Sequence, residues 1–189
     1  SLAAEYDASL VARAVETGIW SPSRALSVAS KIPNKHERIA FITTILATKS
    51  FQEISNQEIR RRAEKEGVAA ALAIQEEEFQ AGILVTLTPH LSVEAQERAL
   101  QAGLAAARTI HDEAYRADAL AVLAPHLKGY LQQEGLAAAL TIGDEWSRAD
   151  ALAALAPYLN QQLLQEGLTA ARAIQNEQFR AKVLAALAP

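Results

Sequence analysis

The four histidines are the side chains best suited to metal binding or proton transfer in this chain of 189 residues. His90 and His126 each follow a proline directly, so they occupy equivalent positions. Neighbouring packed helices lie about 8–10 Å apart, whereas zinc needs several ligands at about 2 Å. The chain has no cysteine, and no third ligand stands near either histidine. We therefore predict that this pair packs in loops and that the chain holds no metal and no cofactor; the other histidines are His36 and His111.

Paired carboxylates could serve as general acid and base, and the sequence contains several such groups. They recur at equivalent places, where a helix is predicted to begin. There an Asp or Asn caps the first turn, and the Glu that follows it interacts favourably with the helix dipole. We therefore predict capping and no enzyme. The groups are Glu76–Glu78, Asp112–Glu113, Asp144–Glu145 and Asn176–Glu177.

A catalytic site within the first 60 residues is the enzymatic alternative. Such a site needs clustered ionisable groups in a pocket. The only material there is Asp7, His36 and Glu37, and their spacing matches no recognisable motif.

Four arginines form a ladder with a constant place in the sequence pattern. Along the regular copies each stands three residues after a Glu in the first turn of a predicted helix, which is contact spacing. One interpretation is a structural brace that links hairpins or caps the carbonyls of the preceding helix. The other is a row of guanidinium groups for an acidic peptide or a phosphate. We favour the brace for these residues, which are Arg38, Arg116, Arg148 and Arg180, with Gln80 at the remaining position.

The charge distribution argues against a nucleic-acid partner. Net charge is −4; residues 1–66 carry 10 Lys+Arg and 8 Asp+Glu, and residues 67–189 carry 8 and 14. Nucleic-acid-binding domains are usually strongly basic, and the one basic run, Arg60–Arg62, has glutamates around it, which favours a solvated helix face. No apolar run reaches the roughly 18 residues of a membrane span. The lack of cysteine fits a reducing compartment, so we expect a cytoplasmic protein that does not enter a membrane.

A repeated stretch positions these residues and accounts for most of the chain. The copy GLAAALTIGDEWSRADALAALAPYL begins at Gly135. Related copies begin at Gly67, Gly103 and Gly167, and the steps between the four are 36, 32 and 32 residues. A fixed period of this kind is typical of repeat architectures. Each copy predicts a first helix, a short break after an isoleucine, and a second helix that ends at a proline, which has no N–H.

Apolar residues cover much of the circumference of each predicted second helix. In one of them Leu120 and Ala124 lie on one side, and Tyr115 and Leu123 lie on another. Such a helix is buried on several sides. The glycine inside each first helix costs about 1 kcal/mol relative to Ala, so its recurrence predicts a close helix–helix approach. The predicted fold class is all-α, a right-handed α–α superhelix of stacked helical hairpins.

The N-terminal part contains a degenerate copy of the repeat at residues 25–47. Its Ile32 and Arg38 are separated by six residues, as are Ile110 and Arg116 in a regular copy. Pro follows Ser21 directly, which is a typical helix start. Predicted helices in this part span residues 2–17, 24–31 and 35–47.

A capping box at Ser55–Glu58 predicts the start of a long helix that runs to about Ile74. We therefore divide the chain into divergent helices over residues 1–54 and four hairpin repeats over residues 55–189. Because the chain stops at Pro189, inside the repeat pattern, and solenoids normally end in a polar capping unit, we expect it to be truncated there.

The pattern resembles the alpha-solenoid superfamily, whose best-known members are tetratricopeptide and HEAT-type arrays. The resemblance covers about residues 25–189. Ala117 and Ala124, seven residues apart, and Pro125, which closes the repeat, look like the tetratricopeptide pattern, although the period here is 32 and not 34. The resemblance implies an architecture with extended concave binding surfaces, and no ligand-binding residue is carried over. Ala-rich arrays of this kind are also similar to sensor regions of bacterial signalling ATPases.

Five residues stand at two repeat positions that differ between copies while the core positions stay constant, as expected of a binding surface. Four of them stand five residues after the repeat glycine. The fifth is a tryptophan that either forms an exposed anchor, as is typical of interface hot spots, or fills a gap left by Ser147. We expect a protein or peptide partner and a non-catalytic interaction scaffold or sensor; the alternative is a structural module that self-assembles through its repeat ends. The five residues are Leu72, Arg108, Leu140, Arg172 and Trp146.

Overall fold

Helices make up the regular structure of the described chain. The structure is a computed structural model that describes residues 7–52, 57–73 and 77–188. Within these ranges there is no β-strand, which confirms the predicted all-α class. None of the helices in the described ranges is long and apolar enough to span a membrane.

The N-terminal helices begin where the sequence places capping side chains. The side chain of Ser21 accepts the backbone N–H of Arg24, and Pro22 occupies the first helical position. Asp7 and Asn34 cap the helices on either side in the same way. The predicted start of the next long helix at Ser55 lies outside the described residues. The helices are α1 Ala8–Glu16, α2 Pro22–Ala29, α3 Lys35–Leu46, α4 Lys49–Gln52 and α5 Gln57–Leu72.

The remaining helices follow the repeat. Asp112, Asp144 and Asn176 each cap the second helix of a copy, as predicted. The short helix α4 lies between two of the predicted helices and was not itself predicted. The helices are α6 Glu77–Leu87, α7 Val93–Thr109, α8 Glu113–Leu123, α9 Tyr130–Leu140, α10 Glu145–Leu155, α11 Gln161–Arg172 and α12 Glu177–Leu187.

The second helices end earlier than predicted. In α8 the last α-helical residue is Leu123, and Pro125 lies inside a 3-10 turn, Ala124–His126. The backbone N–H of Leu127 donates to the Ala124 carbonyl at 3.3 Å and closes this turn. Proline has no backbone N–H, and a residue near the start of a 3-10 turn does not need one. The 3-10 turn therefore accommodates Pro125, whereas a continued α-helix would lack one backbone hydrogen bond at this residue.

The chain forms two compact units. The described part of the first, here called the N-terminal unit, comprises residues 7–73 and 86–99 with the gap at 53–56; the C-terminal unit comprises residues 77–85 and 100–188. The predicted boundary after residue 54 lies outside the described residues. In the N-terminal unit α1 packs against α2, α3 and α4, and α3 packs against α5. Its most deeply buried large side chains are Leu26, Ile32, Ile42, Ile45, Leu46, Phe51 and Leu87.

In the C-terminal unit the second helices pack side by side in sequence order. Helix α8 contacts α10, and α10 contacts α12. The first helices α9 and α11 contact each other, and each packs against the second helix of its own copy. Leucine, alanine and isoleucine from all of these helices form one apolar core.

The repeat glycines lie where two elements approach closely. A Cβ built on Gly135 would lie 2.6 Å from Leu127 Cδ1 and 3.4 Å from Leu155 Cδ2. One built on Gly103 would lie 3.0 Å from Leu123 Cδ2. The distances to Leu127 and Leu123 are shorter than ordinary van der Waals contact, which confirms the predicted close approach at these positions.

Candidate protein-binding site

The arginine ladder caps helix ends. Arg116 donates from Nε and Nη2 to the Ile110 carbonyl at 3.0 and 2.7 Å. The Ile110 carbonyl follows the last turn of α7, where backbone acceptors have no partner within the helix. The same bond, across six residues, joins Arg38 to Ile32, Arg148 to Ile142 and Arg180 to Ile174. The brace interpretation, in its carbonyl-capping form, is confirmed for these four arginines.

The first-turn glutamates join consecutive copies, which the sequence analysis did not predict. Glu113 accepts the backbone N–H groups of Gly143 and Asp144 at 2.9 and 2.6 Å. Glu145 accepts those of Gln175 and Asn176 at 2.9 and 3.2 Å. We call each such carboxylate, with the two N–H groups it binds, a rung. The interpretation of these glutamates as dipole-stabilising residues alone was therefore incomplete.

Hydrogen bonds in the rungs favour the ionised carboxylates. The N–H groups of Gly143 and Asp144 lower the pKa of Glu113, and those of Gln175 and Asn176 lower the pKa of Glu145. The available sequence signal was the recurrence of Glu with the 32-residue period. That recurrence did not reveal the target, because a first-turn side chain can also turn back onto its own helix.

The histidines that follow a proline, and Asp7, were considered for chemistry, and the structure places them in turns and at a helix start. His90 and His126 end the 3-10 turns that follow α6 and α8, and both are partly exposed. Across the described ranges, no three His, Asp or Glu side chains come together in a way that could hold a metal ion. Asp7 accepts the N–H of Ser9 at 2.7 Å as the cap of α1. Glu76 lies outside the described residues.

The basic run Arg60–Arg62 belongs to a helix face that is only partly solvated. Arg62 forms an ion pair with Glu66 at 2.9 Å on the outside. Arg60 contacts Glu64 at 3.3 Å, and Glu64 is only 2% exposed. The predicted solvated face holds for Arg61 and Arg62 but does not extend to Glu64, because this carboxylate turns inward to bind the start of α7.

All five residues predicted to bind a partner are exposed. Trp146 keeps 49% of its surface exposed, whereas Ser147, only 2% exposed, holds the buried position beside it. The exposure fits the anchor interpretation better than the gap-filling one. Leu72 belongs to the N-terminal unit and the other four to the C-terminal unit. Arg108 is engaged by Glu134, donating to its carbonyl at 3.0 Å and to its carboxylate.

Tyr115 was placed among the buried residues of its helix and is 52% exposed. It stands one residue before the bracing Arg116, near the start of α8. Trp146 has a similar place near the start of α10, which packs against α8. Because apolar residues cover most of this helix, the sequence pattern could not show whether the Tyr115 ring lies in the core or at its edge.

Leu72 is one of the residues that line a groove in the N-terminal unit. The groove has a volume of about 460 Å³ and lies between one face of α5 and the first turns of α7. Val68, Ala69, Leu72 and Ala95 supply apolar surface. The charged lining residues are Arg61, Lys65, Arg98, Glu94 and the buried Glu64. We call this site the α5–α7 groove.

The groove can accept an apolar side chain whose neighbours carry negative charge. Glu64 is already bonded to Ser92, with 2.7 Å to its backbone N–H and 2.9 Å to its hydroxyl. Three cationic side chains and the carboxylate of Glu94 therefore dominate the charge that faces an occupant. Sequence reasoning found only Leu72, because the lining comes from two helices whose facing residues are more than 20 positions apart.

No family model, curated protein or solved structure matches the chain. The functional assignment therefore depends on the geometry of these surfaces.

Proposed function

We propose that this chain is a non-catalytic protein-interaction scaffold, built as a solenoid of stacked helical hairpins in the cytoplasm. The 32-residue step between α8, α10 and α12 supports the solenoid, as does the resemblance to tetratricopeptide and HEAT-type arrays. A right-handed superhelix is part of this proposal. The cytoplasmic location is supported by the lack of cysteine.

The α5–α7 groove is the main observation in support of this proposal. Burying one Leu or Phe side chain in an apolar site contributes about 1.5–3 kcal/mol. The guanidinium and ammonium groups of Arg61, Lys65 and Arg98 favour carboxylates on either side of that residue. The proposed ligand is therefore a protein segment with one large apolar residue flanked by Asp or Glu.

The recurrent charged residues support a scaffold over an enzyme. The arginine ladder and the rung glutamates make hydrogen bonds to the backbone, so the fold accounts for their recurrence. The exposed residues of the C-terminal unit, above all Trp146, are proposed as a second contact surface for a longer partner. Aromatic residues of this kind often dominate binding energy.

A peptide titration tests the groove. Two sets of 12-residue peptides carry one central Leu or Phe, flanked by Asp and Glu in one set and by Lys in the other. Shift changes in amide NMR spectra of the labelled chain should cluster at residues 61–72 and 94–98 with the acidic set only. Binding should weaken as salt is added, because exposed charges are screened.

Charge-reversal variants provide the control. The double variant Arg61→Glu, Lys65→Glu should weaken acidic-peptide binding at least tenfold, whereas Lys128→Glu, an exposed reversal in the C-terminal unit, should not. Equal binding of both peptide sets, or no effect of the double variant, contradicts the proposed ligand class.

A further inference from the structure

The α5–α7 groove is long in one direction only. Residues of α5 line it from Arg61 to Leu72, which corresponds to about 16 Å along the helix axis. Residues of α7 line it only from Glu94 to Arg98, or about 6 Å. The long axis of the groove therefore follows α5. All lining residues lie in the interior of the sequence and within the N-terminal unit.

Four lining residues of α5 form one straight stripe along the helix. Successive members are four, three and four residues apart, so at about 3.6 residues per turn they fall within a sector of about 60°. Two cations come first in the stripe and two aliphatic side chains follow. Steps of four and three are the spacing by which the side chains of two packed helices interlock. The residues are Arg61, Lys65, Val68 and Leu72.

The long wall of the groove favours a helical occupant over an extended one. It belongs to a continuous helix, Gln57–Leu72, whose backbone N–H and C=O groups bond one another. Such a wall lacks the row of backbone partners that a sheet edge offers to an extended peptide. An extended segment in the groove would therefore bury N–H and C=O groups without partners, which costs free energy. A helix satisfies these groups internally and presents only side chains.

We propose that the partner segment is an amphipathic helix of about three turns that lies parallel to α5. Its first turns carry acidic residues opposite Arg61 and Lys65. Two large apolar residues follow, four positions apart, and pack against Val68 and Leu72. This inference rests on the proposed function of the groove and adds the conformation of the ligand, its direction and a second apolar residue.

The direction follows from the order of charges along α5. Arg98, on the opposite wall, already donates to the Glu94 carbonyl of its own helix at 3.2 Å, so the two cations of α5 decide where carboxylates bind. In a parallel helix these carboxylates lie in the first turns, where the helix dipole favours negative charge. In an antiparallel helix they would lie in the last turns, where the dipole disfavours them.

Three 16-residue peptides of identical composition test the helical mode. The helical peptide has Glu at positions 2 and 6 and Leu at positions 9 and 13, with Ala and Gln elsewhere as helix formers. The reversed peptide carries the same residues in the opposite order. The alternating peptide places Glu and Leu at every second position, which suits an extended chain. By fluorescence anisotropy the helical peptide should bind at least tenfold more tightly than either of the others, and its Cα chemical shifts should become helical on binding.

A double-mutant cycle locates the second apolar contact. Leu72→Ala should weaken binding of the helical peptide at least threefold. It should have little further effect on a peptide whose second leucine is replaced by alanine, because the two side chains contact each other. The matched control is Leu140→Ala, which should leave the affinity unchanged. Leu140 has the equivalent repeat position and is 42% exposed, compared with 41% for Leu72.

The outcomes separate this inference from the proposed function. Equal affinity of the helical and alternating peptides, both weakened by Arg61→Glu, Lys65→Glu, overturns the helical mode and leaves the groove as an acidic-ligand site. Tighter binding of the reversed peptide overturns the parallel direction. If none of the three peptides binds, both the helical mode and the proposed function of the groove fail.

Discussion

Glu64 binds Ser92 across 28 residues, accepting its backbone N–H at 2.7 Å and its hydroxyl at 2.9 Å. The carboxylate is only 2% exposed. It satisfies a donor at the start of α7, where the first N–H groups have no partner in the helix. This contact holds α5 beside the first turn of α7 and so sets the width of the α5–α7 groove.

Removing the Glu64 carboxylate should destabilise the N-terminal unit. Glu64→Ala leaves the partly buried N–H of Ser92 without its acceptor, which costs about 1–3 kcal/mol. Urea unfolding followed by circular dichroism measures the loss. Glu97→Ala, an exposed change on α7, should stay within about 0.5 kcal/mol of the parent. Equal effects of the two changes would show that the Ser92 contact does not support the unit.

The rung carboxylates should make stability depend on pH in the acid range. The N–H groups of Gln175 and Asn176 lower the pKa of Glu145. Because its folded-state pKa lies below the unfolded value of about 4.3, the stabilisation is present above that pH. It is lost as pH falls through the folded-state pKa.

A comparison of Glu145→Gln with the parent measures how much the ionised Glu145 carboxylate contributes to the unfolding free energy. The difference in unfolding free energy should be constant from about pH 7 to 5 and should shrink below pH 4. Glu166→Gln, at an exposed position of α11, is the control and should show little difference at any pH. A difference for Glu145→Gln that does not change with pH would rule out a contribution from the ionised rung.

Two glycine substitutions should have opposite effects. In Gly82→Ala the new Cβ meets no atom of the described chain within 4 Å, so the gain in helix propensity of about 1 kcal/mol should appear as added stability. In Gly135→Ala the Cβ would displace the Leu127 methyl, 2.6 Å away, within the core. Overpacking of this kind costs about 1–3 kcal/mol.

Thermal unfolding of both variants checks the comparison. Gly82→Ala should melt above the parent, and Gly135→Ala at or below it. A Gly135→Ala variant as stable as Gly82→Ala would mean that Leu127 moves aside without cost, and the close approach would then not explain the recurrent glycine.

Trp146 should be accessible to solvent and unimportant for folding. With 49% of its surface exposed, Trp146→Ala should change the unfolding free energy by less than about 1 kcal/mol. The same change should remove most of the acrylamide-quenchable tryptophan fluorescence. The other tryptophan, Trp20, is stacked under the Arg24 guanidinium at 4.3 Å, so Trp20→Phe serves as the control. Quenching that persists in Trp146→Ala would contradict the exposed position.

Much of the helical layout could be predicted because its causes are local. Ser21, Asp112, Asp144 and Asn176 cap helices through N–H groups two or three residues ahead, so neighbouring residues suffice to locate these starts. The brace from Arg116 to Ile110 spans six residues and recurs with the repeat. Even here the proline positions misplaced the helix ends, since a 3-10 turn accommodates Pro125 beyond the last α-helical residue.

The candidate site was predictable only in part. Sequence variation between copies identified exposed positions, including Leu72, which the structure places in the groove. It did not identify Ala95 or Arg98 as its neighbours, because they join Leu72 only through the packing of two helices.

The sequence by itself determined where most helices begin, which residues recur, and that glycine marks each close approach. Tertiary structure alone decided that Glu113 reaches Gly143 and not its own helix, that Glu64 is buried, and that Tyr115 lies at the margin of the core. The physical reason is the separation along the chain between the residues that interact. Caps and braces join atoms within about one or two helical turns, whereas each of these outcomes depends on which distant segment lies opposite the side chain.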